Sequence, residues 1–462
     1  MHTANAINPQ IFREYDIRGV VGEDLTESTV YLIGRAYGTF LRQNNIARAV
    51  LGRDPRLSSY AYSRAICQAL CDTGVDVLDI GMVTTPLFYF ARANYGIEGG
   101  VMVTGSHNPP EFNGFKLGFG PDTLYGDGIQ GIYRIIQSGE FESGKGMMTE
   151  KDPLPEYVED IASRITLGPK EVFCIVDAGN GASGPVVRAV FDRLGVKYHG
   201  LFLKPDGTFP NHHPDPTRLE NLHDLIETVK EKKAAIGIGF DGDGDRIGVV
   251  DELGNPLWGD QLQAVFWSEI LPKHPGALAL IEVKCSQALF EVVEKLGGKP
   301  EFTQAGHSLI KARMRQTGAL FAGEMSGHMF FKDEYYGFDD GIYAAARLLR
   351  LLSNSDQTLS EFVQDMPHYY STPEVRVFCP DDDKFEVVEK LIEDLRSEYD
   401  IITVDGARIV FPEGWGLVRV SNTQPALVLR AEASTCEQLG LIKQIIEEKL
   451  GEHPTVGVIE WE

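Results

Sequence analysis

The sequence predicts three similar α/β domains with mixed sheets, followed by an α+β domain with an antiparallel sheet. Two observations support this prediction. As far as about Pro367, strand-like apolar segments alternate with helical segments, and three successive units each lead a strand into a polar, glycine-containing loop. Beyond that residue, strands follow one another through short turns, which is typical of an antiparallel sheet covered by helices on one face.

The first unit begins with a helical pattern at Thr26–Asn44, in which apolar residues recur at helical spacing. It continues with the strand AVLGRD, a helix from Ser58 to Gly74, the strand VDVLDIG, the helix TTPLFYFARANYG and the strand GGVMVT. This alternation indicates a parallel, doubly wound sheet, whose ligands bind beyond the carboxyl ends of the strands. The loop Thr104–Pro109 follows the last of these strands, so we expect it to lie at a ligand site.

The later units repeat this layout before the pattern changes. A segment with little pattern, Ser138–Pro155, predicts a domain boundary, and strands and helices resume with EVFCIVDAGNGASGP. A third cycle begins near Gly254, and the last domain contains a charged helix at Asp383–Glu398 and a final helix from Thr435. We therefore predict four domains, at residues 1–152, 153–253, 254–366 and 367–462.

The composition limits the class of protein. The 462 residues are 43% hydrophobic and 24% charged, which is ordinary for a globular protein and argues against extended disorder. A net charge of −24 disfavours nucleic acid and anionic membranes as partners, because their phosphates need a basic surface. No apolar run approaches the ~20 residues of a membrane span, and the first residues do not resemble a secretory signal. We therefore expect a cytoplasmic protein whose six scattered cysteines are buried free thiols rather than a zinc site or disulfides.

The loop Thr104–Pro109 contains a candidate nucleophile. Ser106 stands between Gly105 and His107, and the string TGSHN lacks the G-x-S-x-G pattern of a serine-hydrolase elbow. We interpret Ser106 as the residue that carries a phosphoryl group, with Lys116 as a cation close by. His107 could act as a general acid or base, and a turn histidine hydrogen-bonded to backbone is an equal alternative.

The strongest local signal is the string DGDGDR. Asp241, Asp243 and Asp245 alternate with glycines, an arrangement that can fold around a hard cation. An EF-hand has acidic residues in the same places, but its sixth position requires glycine and is Arg246 here, and the flanks alternate as strands do. A solvated acidic turn is the other alternative. We interpret the string as a Mg²⁺ site that would polarise a phosphoryl group on Ser106, with Arg246 adding positive charge.

Two further polar strings follow strands. The string GEMSGH places Glu324 close to Ser326 and His328, which suits the binding of sugar hydroxyls. The string RVSNTQ begins at Arg419 and offers a guanidinium with several hydroxyl and amide groups, which suits a phosphate dianion. Each string alone is more typical of an ordinary polar turn.

Together the strings point to one family. YDIRG at Tyr15–Gly19, TGSHNP at Thr104–Pro109, DGDGDR, GEMSGH and RVSNT occur in the order found in the α-D-phosphohexomutases. The chain resembles in particular their bacterial phosphomannomutase/phosphoglucomutase branch, and the resemblance spans the full length. It implies four domains arranged around a central active-site cleft, the last of them smaller and mobile.

The resemblance implies a role for each string. Ser106 would be the phosphoserine of the resting enzyme, and its oxygen would bind Mg²⁺ together with Asp241, Asp243 and Asp245. The catalytic set would be Ser106, Arg18, Lys116, Arg246, His107 and His307. The residues that bind the substrate would be Tyr15, Lys284, Glu324, Ser326, His328, Arg419, Ser421, Asn422 and Thr423.

The implied activity is reversible transfer of a phosphoryl group between the 1- and 6-positions of mannose or glucose, through a hexose 1,6-bisphosphate that reorients in the cleft. The implied cofactors are Mg²⁺ and glucose 1,6-bisphosphate, the latter as activator and intermediate. We expect small sugar phosphates as the only partners, no nucleic acid or membrane, and a monomer. The alternatives are a phosphoglucosamine mutase of the same fold, a phosphatase, and a protein that binds Ca²⁺ or sugar phosphates without turnover.

Two residues depart from the family pattern. Gln424 follows the S-N-T string where many relatives have threonine or glutamate, a change that could alter phosphate contacts. Gly105 precedes Ser106 where alanine is common, a change that leaves the loop plausible. The methionine in GEMSGH favours the mannose and glucose branch over the glucosamine branch.

Overall fold

A computed structural model describes residues 7–421 and 424–461, and the chain divides into two compact units. The first unit comprises Met1–Leu262 and Ser326–Val363, and the second comprises Gln263–Met325 and Gln364–Glu462. None of the helices in the described part of the chain combines the length and the apolar character that crossing a membrane requires.

The first unit begins with a seven-stranded sheet. Its strands are Ile17–Val20 (β1), Arg48–Arg53 (β2), Asp76–Met82 (β3), Gly99–Val103 (β4), Phe112–Phe119 (β5), Asp122–Thr123 (β6) and Met148–Glu150 (β7). They lie in the order β1-β5-β4-β2-β3-β7, with β6 beside β5. The helices of this region are Glu27–Gln43 (α1), Ser59–Asp72 (α2), Thr85–Asn94 (α3) and Asp127–Ser138 (α4). A short 3-10 turn, Pro9–Ile11, precedes β1.

This sheet is mixed, so the parallel sheet that the alternation of strands and helices indicates makes up only part of it. Strands β2, β3, β4 and β7 run parallel to one another, whereas β5 is antiparallel to its neighbours β4 and β1. The loop after β4 returns the chain directly beside that strand, because no crossover helix separates β4 from β5. Strand β7 also lies inside the segment that we had interpreted as a patternless boundary.

A second sheet of the first unit has the order β12-β11-β10-β8-β9. Its strands are Phe173–Asp177 (β8), Lys197–Leu201 (β9), Ile236–Phe240 (β10), Ile247–Asp251 (β11) and Pro256–Leu257 (β12). The helices are Leu154–Arg164 (α5), Ser183–Leu194 (α6) and His223–Lys232 (α7), with a 3-10 turn at Leu219–Leu222. Because β10 and β11 are antiparallel neighbours, the DGDGDR string forms the turn between them. Strand flanks of this kind do not fit an EF-hand, whose loop is flanked by helices.

The chain continues with Gly259–Ile270 (α8) and then forms a parallel group of strands in the second unit. These are Leu278–Glu282 (β13), Lys299–Thr303 (β14) and Phe321–Gly323 (β15), and β13 pairs with both of the others. The helices between them are Gln287–Lys295 (α9) and His307–Thr317 (α10). The first unit then contains Met329–Phe331 (β16), Gly341–Ser353 (α11) and Leu359–Val363 (α12).

The C-terminal part of the second unit is an antiparallel sheet, as the sequence predicts. Its strands are Tyr370–Ser371 (β17), Val375–Phe378 (β18), Asp400–Ile402 (β19), Ala407–Phe411 (β20), Gly414–Val420 (β21) and Ala426–Ala433 (β22). Helices Lys384–Leu395 (α13) and Cys436–Gly451 (α14) share one hydrophobic core with this sheet. Apolar residues at helical spacing, such as Leu391 and Ile446, form that core with Leu429.

Candidate active site

Ser106 lies in the loop that follows β4 and is 3% exposed. Its backbone has φ of +49°, the left-handed region that disfavours residues with a β-carbon by about 1–2 kcal/mol. The amide of Ser106 donates to Thr104 Oγ1 at 2.8 Å, and Ser106 Oγ donates to Asp241 Oδ2 at 2.9 Å. The candidate nucleophile is therefore in contact with the first carboxylate of the candidate metal loop, 135 residues away in the sequence.

The serine loop is held in place by a buried arginine that the sequence analysis did not single out. Arg56 donates to four backbone carbonyl oxygens of this loop, those of Ser106, Asn108, Pro109 and Phe112. Its Nε also pairs with Asp54 Oδ2 at 3.0 Å, and the two side chains are 0% and 1% exposed. Because one rigid guanidinium satisfies several carbonyl groups at once, the loop and β2 form a single hydrogen-bonded assembly.

The three aspartates of the DGDGDR turn are fully buried, with 0% exposure each. One carboxylate oxygen from each lies within 4.8 Å of the other two. The glycines are required here. A β-carbon at Gly242 would lie 2.4 Å from the carbonyl oxygen of Ser106, and Gly244 has φ of +74°. The turn can therefore approach the serine loop only with glycine at position 242.

The charges of this cluster suit a divalent cation. Burial together with the neighbouring Asp243 and Asp245 raises the pKa of Asp241 well above its usual range. Asp243 Oδ1 is buried and accepts no hydrogen bond from any of the described residues. Three buried carboxylates with an unsatisfied oxygen are the donor set that a hard cation such as Mg²⁺ or Ca²⁺ prefers. The residues present thus fit a metal site.

The orientation of Asp243 depends on side chains from two other elements. Asp243 Oδ2 accepts a hydrogen bond from Thr85 Oγ1 at 2.7 Å, lies 3.1 Å from Thr104 Oγ1 and 3.2 Å from Lys116 Nζ. Lys116, on β5, also pairs with Asp245. Burial alone would lower the pKa of Lys116, but Asp243 and Asp245 outweigh it and hold that pKa well above its usual value. The lysine is therefore a charged partner of the acidic turn.

His107 and Arg18 flank the serine. His107 Nδ1 lies 3.2 Å from Ser106 Oγ, and burial together with Arg246 and Arg18 lowers the pKa of this imidazole well below its usual value. Arg18, on β1, donates to Asn108 Oδ1 and to Asp16 Oδ2, each at 2.5 Å. Tyr15 is half-buried in the segment before β1. The predicted neighbours of the serine from the first sheet therefore lie on β1, on β5 and in the serine loop itself.

Two predicted residues from the GEMSGH string also belong to this cluster. Ser326 Oγ lies 3.0 Å from His328 Nδ1, and His328 Nε2 lies 3.2 Å from Asp245 Oδ1. The backbone amide of Arg246 donates to Asp241 Oδ1. The side-chain Nε of Arg246 lies 3.4 Å from His328 Nε2. The first unit thus brings the serine, the acidic turn and the end of the GEMSGH string together.

The second unit contains most of the residues predicted to bind sugar and phosphate. Lys284 pairs with Glu374 at 3.0 Å and with Glu282 at 3.4 Å. Lys284 is the main cause of a pKa of Glu374 well below its usual value. The guanidinium of Arg376 donates one hydrogen bond to Glu374 Oε1 at 2.8 Å and another to Gln424 Oε1 at 3.0 Å. Gln424, one of the two departures from the family pattern, therefore binds a side chain of β18.

The other predicted residues of the second unit lie in short polar contacts. Glu324 accepts from the amide of Gly306 at 2.7 Å, and His307 Nδ1 lies 3.3 Å from Lys311 Nζ. Arg419 Nε donates to Asp405 Oδ2 at 2.9 Å, and the same oxygen accepts from the amide of Ala305 at 3.0 Å. Asn422 and Thr423 lie outside the described residues.

Three functional side chains were missed by sequence reasoning: Asp54, Arg56 and Thr85. A signal for two of them was available, because the strand AVLGRD ends in the polar string RDPR directly beside the predicted ligand edge. Thr85 stands in an ordinary helix start, TTP, where Thr84 is the capping residue. Nothing in that string distinguishes Thr85 from a second cap.

Comparisons with known proteins identify the family. Models of all four domains of phosphoglucomutase/phosphomannomutase match the chain: α/β/α domain I at residues 9–143, domain II at 155–254, domain III at 258–370 and the C-terminal domain at 374–449. The chain belongs to the phosphoglucomutase/phosphomannomutase family. It is an enzyme of the isomerase class, and the α-D-phosphohexomutase resemblance of its motifs is confirmed.

Similar proteins of this family cover nearly the whole chain. A phosphomannomutase/phosphoglucomutase of Pseudomonas aeruginosa is 44% identical over 97% of this chain and 98% of its own length. A phosphoglucomutase of Neisseria gonorrhoeae is 45% identical over 93% of this chain and 94% of its own length. A crystal structure of a phosphoglucomutase/phosphomannomutase family protein from Burkholderia thailandensis superposes with a TM-score of 0.92 at 42% identity, covering 98% of this chain and 99% of that protein. These relatives do not favour the glucosamine-specific or non-catalytic alternatives.

Proposed function

We propose that this enzyme interconverts hexose 1-phosphates and hexose 6-phosphates of glucose, mannose or both, with Ser106 as the residue that carries the phosphoryl group. The contact of Ser106 Oγ with Asp241 in the buried acidic turn carries the proposal. A hydroxyl next to three carboxylates is unsuited to acyl transfer, since those charges would repel a developing oxyanion. With a bound cation, the same arrangement stabilises a phosphoryl group on the hydroxyl.

The cation proposed is Mg²⁺, held by Asp241, Asp243, Asp245 and an oxygen on Ser106. Oxygen ligands suit this ion, which binds few carboxylates and leaves positions for a phosphate oxygen. When bound, Mg²⁺ would neutralise negative charge on the transferring group. Lys116 holds Asp243 and Asp245 in place, and Arg18 and Arg246 add positive charge around Ser106.

The covalent chemistry is a balanced exchange of one phosphoryl group. The bond between phosphorus and Ser106 Oγ breaks, and a bond forms between phosphorus and the free hydroxyl oxygen of the hexose phosphate, which gives a 1,6-bisphosphate. The proton of that hydroxyl ends on Ser106 Oγ, and His107, with Nδ1 at 3.2 Å from this oxygen, is placed to relay it. Return of the other phosphoryl group to Ser106 reverses these bond changes and releases the isomer.

Substrate recognition is assigned to the remaining predicted residues. Glu324, Ser326 and His328 would bind sugar hydroxyls, because a carboxylate accepts hydrogen bonds from them and hydroxyl and imidazole groups both donate and accept. Arg419 with the residues after it would bind the phosphate that does not react. The further residues of the substrate-binding proposal are Tyr15, Lys284, His307, Ser421, Asn422 and Thr423.

Several narrower expectations accompany the proposal. Glucose 1,6-bisphosphate would act as activator, since it can phosphorylate Ser106 when the enzyme has lost its phosphoryl group. The four domain ranges, a cytoplasmic location and a monomeric state stay predictions of the sequence.

The decisive experiment measures phosphorylation and flux in the same preparations. Intact mass should reveal a population heavier by one phosphoryl group in the wild type and in the control Ser163→Ala, whose serine is exposed on α5. Ser106→Ala should lack this population and lose mutase flux by more than about a thousandfold, because the covalent carrier is gone. A coupled assay with glucose, mannose and glucosamine phosphates, supplied with glucose 1,6-bisphosphate, measures the flux. Near-normal turnover of Ser106→Ala without added bisphosphate would refute the mechanism, and activity confined to glucosamine phosphates would refute the proposed sugars.

A further inference from the structure

Lys384 is a buried lysine at the first position of α13 that no part of the proposed chemistry uses. The residue is 5% exposed, whereas the two residues after it, Phe385 and Glu386, are exposed. Its ammonium group donates to the carbonyl oxygen of Ser421 at 2.7 Å, to Asp381 Oδ1 at 2.7 Å and to the carbonyl oxygen of Gln424 at 3.3 Å. Three acceptors therefore match the three donors of one buried ammonium group.

The position of Lys384 is unfavourable for the helix that contains it. The first turn of a helix carries partial positive charge, so a lysine there destabilises the helix by about 0.3–1 kcal/mol. Helix stability therefore does not explain Lys384. The compensating interactions lie outside the helix, in Asp381 and in the two carbonyl groups.

The two carbonyl groups belong to the turn between β21 and β22. Ser421 follows β21, and Gln424 lies two residues before the start of β22. Two further hydrogen bonds stabilise the ends of this turn. The amide of Gln424 donates to Ser421 Oγ at 3.2 Å, and the amide of Ser421 donates to the carbonyl oxygen of Ala426 at 2.9 Å. Lys384 thus holds the turn at both sides with a single charged group.

We propose that Lys384 is a positioning residue for phosphate binding, which acts through Ser421 and Gln424 on the turn that begins at Arg419. The inference rests on the proposed function of that turn as the site of the non-reacting phosphate. Ser421 and Gln424 are already held by Lys384, so they have less conformational freedom to lose when a phosphate binds. Loss of Lys384 should therefore weaken binding of substrate and of the transition state equally, which raises KM and leaves kcat nearly unchanged.

The test compares Lys384→Met with Lys390→Met, which removes an exposed lysine from the same helix. Lys384→Met should raise KM for glucose 1-phosphate about tenfold and raise the competitive inhibition constant of inorganic phosphate by a similar factor, with kcat within about threefold of wild type. Lys390→Met should leave all three quantities within about twofold. Lys384→Arg keeps the charge and the donors, so it should recover most of the lost affinity.

A variant of the partner carboxylate covers the case in which Lys384→Met fails to fold. Asp381→Asn leaves the lysine in place and should raise KM in the same direction by a smaller factor. The inference is wrong if Lys384→Met matches Lys390→Met in KM and phosphate inhibition, or if it lowers kcat alone. For a misfolded Lys384→Met, an unchanged KM in Asp381→Asn refutes the inference.

Arg419→Ala separates this inference from the proposed function. If Arg419→Ala raises KM and Lys384→Met does not, only the role of Lys384 fails. If Arg419→Ala also leaves KM unchanged, the assignment of phosphate binding to this turn fails as well.

Discussion

The two units hold their charged groups in different ways. In the first unit, Arg56 and Asp54 form an ion pair whose side chains are 0% and 1% exposed, and Arg56 also satisfies four carbonyl groups of the serine loop. In the second unit, Lys284 pairs with Glu374 at side-chain exposures of 14% and 29%. The candidate nucleophile is thus supported by a fully buried ion pair, whereas the pair between the predicted substrate-binding Lys284 and Glu374 is partly hydrated.

This difference matches what each region has to do. Phosphoryl transfer depends on groups that are already in place when charge develops, which favours buried and fully satisfied contacts. Binding a phosphorylated sugar requires a cation to exchange one anionic partner for another. Replacing a partly hydrated carboxylate costs less free energy than replacing a buried one. The comparison therefore predicts large effects from changes in the first unit and small ones from equivalent changes in the second.

The largest effect is expected for Asp243→Asn. Asparagine keeps the hydrogen bond from Thr85 but removes a charge next to the unsatisfied Oδ1, so we expect mutase flux to fall about a thousandfold through loss of several kcal/mol of metal stabilisation. Calorimetric titration with Mg²⁺ should show weakened binding in parallel. Asp224→Asn, which changes an exposed aspartate of the same unit, is the control. Flux above a tenth of the wild-type value would contradict the metal role.

A smaller effect is expected for Arg56→Met. The change leaves Asp54 as an unpaired buried charge and frees the serine loop, so it should destabilise the first unit by about 3–5 kcal/mol. We expect kcat to fall about a hundredfold in the folded protein, since a displaced nucleophile loses its alignment. Urea unfolding and single-turnover phosphoryl transfer measure the two effects. If the folded variant keeps its wild-type kcat, the serine loop does not depend on Arg56 for its position.

The smallest effect is expected for Glu374→Gln. The pair with Lys284 is partly hydrated, so its loss should cost about 1 kcal/mol or less. Because Lys284 lowers the pKa of Glu374 from 4.5, this stabilisation is present above pH 4.5 and disappears as the pH falls further. The urea midpoints of wild type and variant should therefore differ at pH 7, and the difference should shrink as the pH falls below 4.5. A loss as large as that of Arg56→Met would break the comparison between the units.

Most of the architecture could be predicted from periodicity, and the exceptions have a physical cause. The alternation of strands and helices identified the first sheet, and short turns identified the antiparallel sheet after Pro367. Strands β1 and β5, which make the first sheet mixed, were not identified from the sequence. Strand β7 was missed since all three of its residues are exposed and it has no apolar alternation.

The residues of the candidate site could also be predicted from the sequence only in part. Ser106 and the three aspartates were predicted because their local strings carry a chemical meaning on their own. Arg56 was not predicted, because it donates its hydrogen bonds to carbonyl groups that are 50 or more residues away in the sequence. The pairing of Lys284 with Glu374 was missed for the same reason. The roles inferred from the family for the substrate-binding residues stay predictions.

Arg56 also explains one departure from the family pattern. A β-carbon at Gly105 would lie 2.5 Å from the guanidinium carbon of Arg56, which is closer than any unstrained contact. Alanine at this position would force the guanidinium to move away from the loop that it supports. Glycine at this position therefore leaves the space that the guanidinium of Arg56 occupies.

The left-handed backbone of Ser106 restricts which amino acids could take the place of this proposed phosphate carrier. Threonine also has a hydroxyl that can be phosphorylated, but a β-branched side chain is strongly disfavoured at φ of +49°. Glycine would fit the backbone best and has no oxygen to phosphorylate. The choice of serine thus follows from the shape of the main chain as much as from reactivity, and an evolutionary exchange of nucleophile would require a differently folded loop.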